Sequence, residues 1–599
     1  MDIPGLQKEL GLRGVIGRWV AGCAYRVLCL GEFNRIQAKY CDYSGAEFAT
    51  KVLKEVGVSY QIPENQLERI PKEGGFILVS NHHFGSIDGL ILESAVGSLR
   101  PDLKILTTFV LTLIPGLADS FIPVNNFSSG TARSVKGIRA ALEHMAGGHP
   151  LALFAAGEVA TLQRRKNRTS VGGRRVVEDI PWAENIIKMV KRSGLPVIPV
   201  YFEGGNSRLF HFLGRIHPRL RTVRLPREML NKRGLNVRVR IGHPIAPGDI
   251  AGMDIPVLGK YLRNLCYSLE VQCRSAQISD TKAFTTPVAD PVPAGVVREE
   301  MERLEDKVLF ESGDYRLYLI RTPDAPNAMR ELYRLREVTF RRVGEGTGHS
   351  EDTDVYDDRY YHLLLWNIPD GEIAGAYRIG DCSEVMAAHG GIQGIYTASL
   401  YRYNDNAAPI LSRSMELGRS FVVPKYQREV HPLRLLLGGL TVSSLRMPGA
   451  NYYLGPVSIS NDYPAFYKSL IVYFLKREFS LAGSEDFVAP THPFVPDYLA
   501  VNPEDLLAAV PPGDIDRFDR LLAYISDGEY RLPVLVRKYF NCSARLACFN
   551  VDPDFNDSLD GLIFLRLDTF PVQTLRSILR GAPDETREKV LEHFYGISS

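Results

Sequence analysis

Short apolar runs alternate with longer mixed segments between residues 75 and 250. The runs are FILVS (76–80), DSFIPV (119–124), LALFAAGE (151–158), LPVIPVYFEG (195–204) and NVRVRIGHPI (236–245). Most of them read as buried strands followed by polar loops, and the segments between them have the apolar spacing of helices. This order predicts an α/β domain with a mainly parallel sheet, whose site lies at the strand ends.

A second folded region follows a break in this pattern. The chain has 599 residues, which is too long for one core and predicts two to four domains. Residues 275–296 are rich in Pro, Ala, Thr and Asp without periodicity, and we interpret them as a linker. Beyond it, YRLYLIRT (315–322) and EIAGAYRIG (372–380) predict a second α/β domain with more antiparallel strands. The pattern assigns no purpose to residues 480–599.

Positive charge is concentrated in one stretch, although the formal net charge of the chain is only +2. Residues 208–240 hold ten Lys and Arg against one acid, Glu228, with apolar residues between them. Such a surface favours contact with anionic lipid headgroups or an acidic carrier protein. The alternative is a solvated face. No nucleic-acid-binding motif is present, so we expect no nucleic-acid partner.

The sequence predicts neither a metal site nor a membrane-spanning helix. The eight cysteines have no ligand spacing, which fits reduced thiols in a bacterial-type cytoplasm, and we find no secretory signal. No run reaches the roughly 18 uncharged apolar residues that a spanning helix needs. GVIGRWVAGCAYRVLCLG (14–31) is expected to lie in a membrane interface, and the alternative is a buried amphipathic helix packed on its own domain.

Polar residues crowd the stretch NHHFGSIDG (81–89), directly after the first apolar run. On a continuous helix His83 and Asp88 would point about 140° apart, so a turn at Gly85 is needed to bring them together. We predict that Asp88 orients His83 and that His83 acts as a base toward a hydroxyl. His82 is expected to face elsewhere and to shape the loop.

This stretch resembles the first motif, H-x4-D, of the lysophospholipid acyltransferases. The resemblance covers about residues 70–250, and it includes FAAGEVA (154–160) and PVIPVYFEGGNS (196–207). It implies that His83 activates a hydroxyl for acylation, with Gly157 and Glu158 in the substrate-binding region. The alternative for Glu158 is that it caps a helix or holds a loop.

The chain departs from this family where phosphate-binding members carry arginines. Asn125 and Asn126 end the second motif, and Glu158 begins the pair that replaces Thr-Arg in the third. A phosphate dianion then lacks its fork-shaped partner, so we expect an acceptor without phosphate. Arg164 and Arg165 are close enough in sequence to substitute, which keeps a lysophospholipid acceptor open.

The second region is similar to the acyl-homoserine-lactone synthase branch of the Gcn5-related N-acyltransferases, and most similar to their ornithine-lipid-forming relatives. The similarity covers about residues 310–475. The residues that it implies for the site are Arg336, Phe340, Asp354, Asp357, Arg378, Glu416 and Arg419. Arg419 is the first candidate for a purely structural ion pair.

Acylation of an amine by a thioester needs the neutral amine, and Glu416 is predicted to take its proton. Asp354 and Asp357 are expected to hold a cationic acceptor or to order the loop, and Arg336 or Arg378 to pair its carboxylate. Strand backbone N–H groups would stabilise the oxyanion. The alternative is that these charged residues form one structural ion-pair network.

The two resemblances together imply fused α/β acyltransferase domains that make ornithine lipid. The second domain would N-acylate ornithine with a 3-hydroxyacyl thioester, and the first would esterify the 3-hydroxyl. No coenzyme-A pyrophosphate loop stands between residues 423 and 440, which favours acyl carrier protein as the donor's carrier. We expect no other cofactor, and a peripheral location on the cytoplasmic face of the bacterial inner membrane.

Several alternatives remain at this point. The headgroup is open to glycine, glutamine or lysine, and the activity to lysophospholipid acylation, an acyl-homoserine signal or a non-catalytic, haemolysin-like membrane role. The expected division is a membrane-contacting segment (1–50), an O-acyltransferase domain (51–274), a Pro/Ala-rich linker (275–300), an N-acyltransferase domain (301–480) and its C-terminal extension (481–599).

Overall fold

The computed structural model describes residue 4 and residues 13–108, 114–124, 132–164, 175–274 and 286–596. The chain divides into two compact units. The first comprises residues 1–278, 498–511 and 523–528, and the second comprises residues 279–497, 512–522 and 529–599. The boundary at residue 278 falls inside the segment interpreted as a linker.

The first unit is built on a seven-stranded sheet. Its strands and those of a separate hairpin, β6 with β7, are β1 (Ser59–Gln61), β2 (Ile77–Ser80), β3 (Lys104–Thr108), β4 (Phe121–Val124), β5 (Leu151–Phe154), β6 (Thr161–Arg164), β7 (Arg175–Glu178), β8 (Val197–Phe202) and β9 (Asn236–Ile241). The order across the sheet is β1-β9-β8-β2-β5-β3-β4. Neighbouring strands are parallel except β8 and β9. The predicted mainly parallel α/β sheet is confirmed.

Helices connect these strands, and the central strands are buried over their whole length. The helices are α1 (Gly14–Val27), α2 (Leu30–Lys39), α3 (Gly45–Val56), α4 (Glu64–Leu67), α5 (Ser86–Ala95), α6 (Ala132–Ala146), α7 (Glu184–Ser193), α8 (Arg208–Ile216), α9 (Pro218–Leu230), α10 (Pro247–Ile250), α11 (Ile255–Ser268) and α12 (Glu270–Arg274). Every residue of β2, β5 and β8 is buried. Strands covered on both faces are continuous apolar runs, which is why the sequence shows them clearly.

The second unit contains an eight-stranded sheet. Its strands and those of a two-stranded pair, β14 with β17, are β10 (Val308–Ser312), β11 (Tyr315–Ile320), β12 (Tyr361–Asn367), β13 (Glu372–Asp381), β14 (Tyr401–Tyr403), β15 (Ser414–Val422), β16 (Tyr452–Ile459), β17 (Val488–Pro490), β18 (Arg545–Asp552) and β19 (Ser558–Arg566). The order is β10-β11-β12-β13-β15-β16-β19-β18. Only β15 and β16 are parallel among the described neighbours. The predicted antiparallel character is confirmed.

The remaining helices surround this sheet or belong to the C-terminal tail. They are α13 (Ala294–Glu302), α14 (Pro326–Arg341), α15 (Cys382–Ala388), α16 (Thr397–Leu400), α17 (Ala408–Leu411), α18 (His431–Ser443), α19 (Ala465–Phe479), α20 (Pro503–Leu506), α21 (Ile515–Ile525), α22 (Val534–Asn541), α23 (Val572–Ile578) and α24 (Asp584–Tyr595).

The C-terminal tail contributes to both units. Strands β18 and β19 complete the second sheet. Residues 498–511 and 523–528 belong instead to the first unit, where Asn502 N–H donates to Asn264 Oδ1 at 2.6 Å and Arg69 Nη2 lies 2.9 Å from Asp527 Oδ1. The tail is therefore not only an extension of the N-acyltransferase domain, because some of its residues contact Arg69 and Asn264 of the first unit.

Helix α1 exposes its large apolar side chains. Val15, Ile16 and Trp19 are 86%, 79% and 71% exposed, whereas the small residue Ala21 is buried. The alternative of an amphipathic helix with its apolar face packed on the domain therefore does not describe α1. Within the residues that the structure describes, no helix is long and apolar enough to cross a membrane.

Candidate active sites

The loop between β2 and α5 carries the NHHFGSIDG stretch. Gly85 has φ +88°, a value that favours glycine, and it precedes the first residue of α5. Asp88 lies in the first turn of that helix, and its Oδ2 accepts hydrogen bonds from the N–H groups of Phe84 at 2.9 Å and Gly85 at 3.1 Å. The predicted turn at Gly85 is present, and Asp88 fixes it by capping the helix.

His82, and not His83, pairs with Asp88. The distance from His82 Nδ1 to Asp88 Oδ2 is 3.0 Å. His83 is 2% exposed, its Nε2 lies 3.4 Å from the Tyr267 hydroxyl, and burial lowers its pKa. The predicted pairing of His83 with Asp88 is wrong, and so is the expectation that His82 faces elsewhere.

The backbone around His82 explains this arrangement. The His82 N–H donates to Asp179 Oδ1 at 3.1 Å, and the His82 carbonyl accepts from the Ala160 N–H at 2.7 Å. These bonds hold the loop in an extended path, so the six-residue separation, not the five-residue one, brings a ring to Asp88. Asp179 is 1% exposed and was missed by the sequence analysis.

The His82 ring is held on two sides and remains accessible. It stacks on the Phe154 ring with centroids 4.1 Å apart, and its side chain is 17% exposed. Because Nδ1 contacts Asp88, Nε2 is the nitrogen left to accept a proton from a bound hydroxyl. This is the geometry of a base with an orienting carboxylate.

Glu158 is part of an ion pair. Gly157 has φ +71°, and Glu158 Oε2 lies 2.6 Å from Nη2 of Arg221 in α9. The contact agrees with the structural alternative, in which Glu158 holds a neighbouring segment, and substrate binding by Gly157 and Glu158 stays a prediction. Arg164 is the last residue of β6. Asn125, Asn126 and Arg165 lie outside the described residues.

Charged residues of the second unit form an ion-pair network. Such a structural network was the alternative to a substrate-binding role for these residues. Arg336 contacts Asp357 through two bonds of 3.0 Å and Asp352 through Nε at 3.0 Å. Arg378 Nη1 lies 2.6 Å from Asp354 Oδ1 and 3.2 Å from Asp357 Oδ1. All except Asp354 are at most 1% exposed. The network fixes the loop before β12.

Arg419 joins the same network from β15. Its Nε lies 3.3 Å from Asp352, and its Nη1 donates to the Tyr396 hydroxyl at 3.0 Å. Burial alone would raise the pKa of Asp352, but Arg419, Arg336 and Arg378 together hold that pKa below its ordinary value. Asp352 was missed by the sequence analysis, although it stands two residues before Asp354 in the same acidic loop.

Glu416 is a buried residue of β15, and its carboxylate accepts hydrogen bonds from three donors. Its carboxylate accepts from the N–H groups of Tyr396 at 2.9 Å and Thr397 at 2.6 Å, and from the Tyr360 hydroxyl. Glu416 is 1% exposed and is absent from the walls of the cavity beside β15. This position does not suit the predicted proton acceptor, because both carboxylate oxygens already anchor the 396–397 backbone.

A cavity of about 1270 Å³ opens where β15 and β16 separate. The two strands pair only over Ser414–Glu416 and Tyr452–Leu454, and both line the cavity beyond that point. Apolar side chains from α18, β19 and α22 form much of its wall, which suits an acyl chain. Phe340 and Arg419 reach it, whereas Arg336, Asp354, Asp357 and Arg378 do not.

Two carboxylates in the cavity wall have raised pKa values. Burial, with the nearby charges of Asp560 and Asp462, raises the pKa of Glu345 to about 8. Burial and the charge of Asp552 raise the pKa of Asp560 to about 7. The sequence analysis missed both, although an aspartate in the otherwise apolar strand SLDGLIFLR was a usable signal.

Two family models each match a part of one unit. An acyltransferase family model matches residues 4–264, and an acetyltransferase (GNAT) domain model matches residues 335–437. The chain is a two-domain acyltransferase. The expected fusion of an acyltransferase domain with a GNAT domain, and the expectation of an enzyme, are confirmed, whereas the ornithine headgroup stays a prediction. The described residues contain no group of His, Cys, Asp and Glu that could hold a metal ion.

Three curated relatives match parts of this acyltransferase. A glycine N(alpha)-acyltransferase of Bacteroides thetaiotaomicron is 28% identical over 50% of this chain and 92% of its own length. A protein of the same name from Phocaeicola vulgatus is 33% identical over 34% of this chain and 65% of its own length. A lyso-glycine lipid O-acyltransferase of B. thetaiotaomicron is 24% identical over 42% of this chain and 91% of its own length.

Proposed function

We propose that this enzyme makes an aminolipid in two acylations. The GNAT domain N-acylates an amino acid with a 3-hydroxyacyl thioester, and the acyltransferase domain esterifies the 3-hydroxyl of the product. The observation that carries this proposal is that one chain matches both a glycine N(alpha)-acyltransferase and a lyso-glycine lipid O-acyltransferase. The first product supplies the hydroxyl that the second reaction needs.

In the acyltransferase domain, His82 takes the hydroxyl proton on Nε2. The freed oxygen attacks the thioester carbonyl carbon, the C–S bond breaks, and the leaving thiolate takes the proton from His82 Nε2, which restores the neutral imidazole. Asp88, 3.0 Å from His82 Nδ1, stabilises the imidazolium during this step. A lyso-aminolipid without phosphate suits this site, since Arg221 is paired with Glu158, whose own carboxylate would repel a phosphate.

Ornithine is the headgroup that we propose, with glycine as the second candidate. Glu345 and Asp560 are two carboxyl groups in the cavity wall of the GNAT domain with raised pKa values, and a bound ligand with a second ammonium group would favour their ionised forms. Glycine is favoured by the printed names of the relatives. Acyl carrier protein is the proposed carrier of both acyl chains.

Lipid mass spectrometry tests the two-step reaction. Expression in a host that lacks aminolipids, with ornithine or glycine supplied, should yield a new diacylated lipid. The fragment mass of its headgroup distinguishes the two acceptors. A monoacylated amide alone would leave the O-acylation unsupported. The absence of any new lipid, with 3-hydroxyacyl chains and carrier protein present, contradicts the proposal and favours a non-catalytic membrane role.

Peripheral binding to an anionic membrane surface is also proposed, on the cytoplasmic face of the inner membrane. Support comes from the exposed apolar residues of α1 and from those of α8, Leu209, Phe212 and Ile216, which alternate with arginines. Apolar side chains enter the headgroup boundary while arginines contact lipid phosphates.

The double variant Ile16→Glu, Trp19→Glu should bind vesicles of mixed phosphatidylcholine and phosphatidylglycerol about tenfold more weakly, because two apolar side chains no longer leave water. Co-sedimentation of the full chain measures this. Leu142→Glu on α6 is the matched control, since Leu142 is a 41% exposed apolar residue on another helix. Equal weakening by the control, or none by the double variant, contradicts the role of α1.

A further inference from the structure

Asp560 is a buried carboxylate in the cavity wall of the GNAT domain. It is 2% exposed, its Oδ1 accepts from the Ser558 hydroxyl at 3.1 Å, and the neighbouring Ser458 lowers its pKa. Among the described residues, no Lys, Arg or His nitrogen lies within 4 Å of this carboxyl. Arg419 acts on this carboxyl only from beyond ion-pair distance and its other partners are neutral hydroxyls, so the negative charge is only partly compensated and the site is suited to a cation supplied by a ligand.

Glu345 is a second carboxylate in the same wall. It follows α14, and within the part of the chain that the structure describes no donor makes a hydrogen bond to its side chain. The charge of Asp560 is one of the causes that raise its pKa, which places the two carboxylates within electrostatic reach of each other. A ligand that carries two positive charges would compensate the negative charges of both carboxylates.

Asp560 also lies beside the notch between β15 and β16. In the antiparallel ladder of β16 and β19, Asp560 is the partner of Ser458. Pro456, Val457 and Ser458 line the cavity together with Asp560. Where β15 and β16 separate, backbone N–H groups without a strand partner are suited to bind a thioester carbonyl. Asp560 and the thioester would then lie in the same cavity.

We propose that Asp560 takes the proton of the acceptor's α-ammonium group and that Glu345 binds its second ammonium group. The proposal rests on N-acylation of an amino acid by the GNAT domain. It makes Asp560 the proton acceptor, and not Glu416 as the sequence predicted.

An N–H bond of the ammonium breaks and an O–H bond forms on Asp560. The neutral nitrogen attacks the thioester carbonyl carbon, the C–S bond breaks, and the leaving thiolate takes the second nitrogen proton. Asp560 then releases its proton to solvent, and the products are an amide and a thiol.

The rate should rise with pH up to about 7, because Asp560 must be ionised to accept a proton. The charged groups that act on Asp560 are Asp552 of β18 and Arg419 of β15, and Asp560 in turn raises the pKa of Glu345 after α14. Removing the like charge of Asp552 should lower the pKa of Asp560 and shift the rate profile to lower pH.

Amide formation by the full chain tests these roles, with 3-hydroxyhexadecanoyl acyl carrier protein as donor and isotope-labelled ornithine or glycine as acceptor. Asp560→Asn should lower kcat for both acceptors by about 100-fold. Glu345→Gln should raise KM for ornithine about tenfold and leave KM for glycine unchanged. Thermal unfolding monitors the fold, and the amide introduced by Asp560→Asn keeps the capacity to bond both serines.

Asp552→Asn is the matched control, because Asp552 is 4% exposed on the adjacent strand and does not line the cavity. Its kcat should stay within about threefold of that of the unmodified enzyme. The pH dependence of its rate should shift to lower pH. Unchanged kcat in Asp560→Asn, or equal KM changes for both acceptors in Glu345→Gln, overturns the assignment and leaves the proposed function standing. Absence of amide with the unmodified enzyme overturns both.

Discussion

His82→Gln is expected to lose esterification by a factor of about 10²–10⁴ while amide formation continues, because only the base of the acyltransferase domain is removed. The monoacylated lyso-lipid should accumulate. Lipid mass spectrometry of cells that express each variant gives the ratio of monoacylated to diacylated product. The reason is structural, since His82 Nδ1 and not His83 contacts Asp88.

His83→Gln provides the discriminating control. His83 is buried against Tyr201 and Tyr267, so its loss should cost stability while the rate per folded molecule stays within a few-fold of the original. Amide formation by the same chain and thermal unfolding separate these effects. Full esterification by His82→Gln, with its loss in folded His83→Gln, would falsify the assignment of His82.

Arg336→Met is expected to destabilise the second unit by about 3–5 kcal/mol, since Asp352 and Asp357 would remain buried without their main partner. Hydrogen exchange of peptides from β12 and β13 in the full chain measures the free energy of opening in that unit. Arg303→Met, at a side chain 76% exposed and paired with an exposed Glu299, should leave this exchange unchanged. If the β12 and β13 peptides of Arg336→Met exchange as slowly as those of the unmodified chain, the network contributes little to the stability of the second unit.

The pH dependence of the same network has a definite sign. Arg336 and Arg378 hold the pKa of Asp357 far below its ordinary value against the opposing effect of burial. A lowered carboxyl pKa stabilises the folded state fully above the unfolded pKa of about 4, and this contribution is lost as the pH falls below that value. The opening free energy should therefore decrease below about pH 4, and less so in Arg336→Met.

The sheet of the first unit could be predicted because its strands are buried on both faces. FILVS and LPVIPVYFEG contain β2 and β8 as continuous apolar runs. The choice between the two histidines could not be predicted, since the spacing H-x4-D does not show which ring meets Asp88 in a loop held by Asp179 and Ala160. Motif spacing identified the correct loop, and the backbone path decided which ring meets Asp88.

The site of the GNAT domain shows a second limit. The residues singled out by resemblance, such as Arg336 and Glu416, mostly hold the loop and strand together. Asp560 lies 144 positions after Glu416 in the sequence and reaches the cavity only because β19 inserts beside β16. Strand order of this kind depends on non-local pairing, which a pattern in one sequence does not reveal.

Residues 498–511 and 523–528 pack within the first unit, although roughly 250 residues separate residue 528 from the end of its main segment at residue 278. At the usual pace of bacterial synthesis, about 5–20 residues per second, the first unit would wait for about 12–50 seconds before its last segment leaves the ribosome. During that interval the surfaces around Arg69 and Asn264 are uncovered. A chain severed at the linker would thus release an N-terminal half lacking part of its own structure.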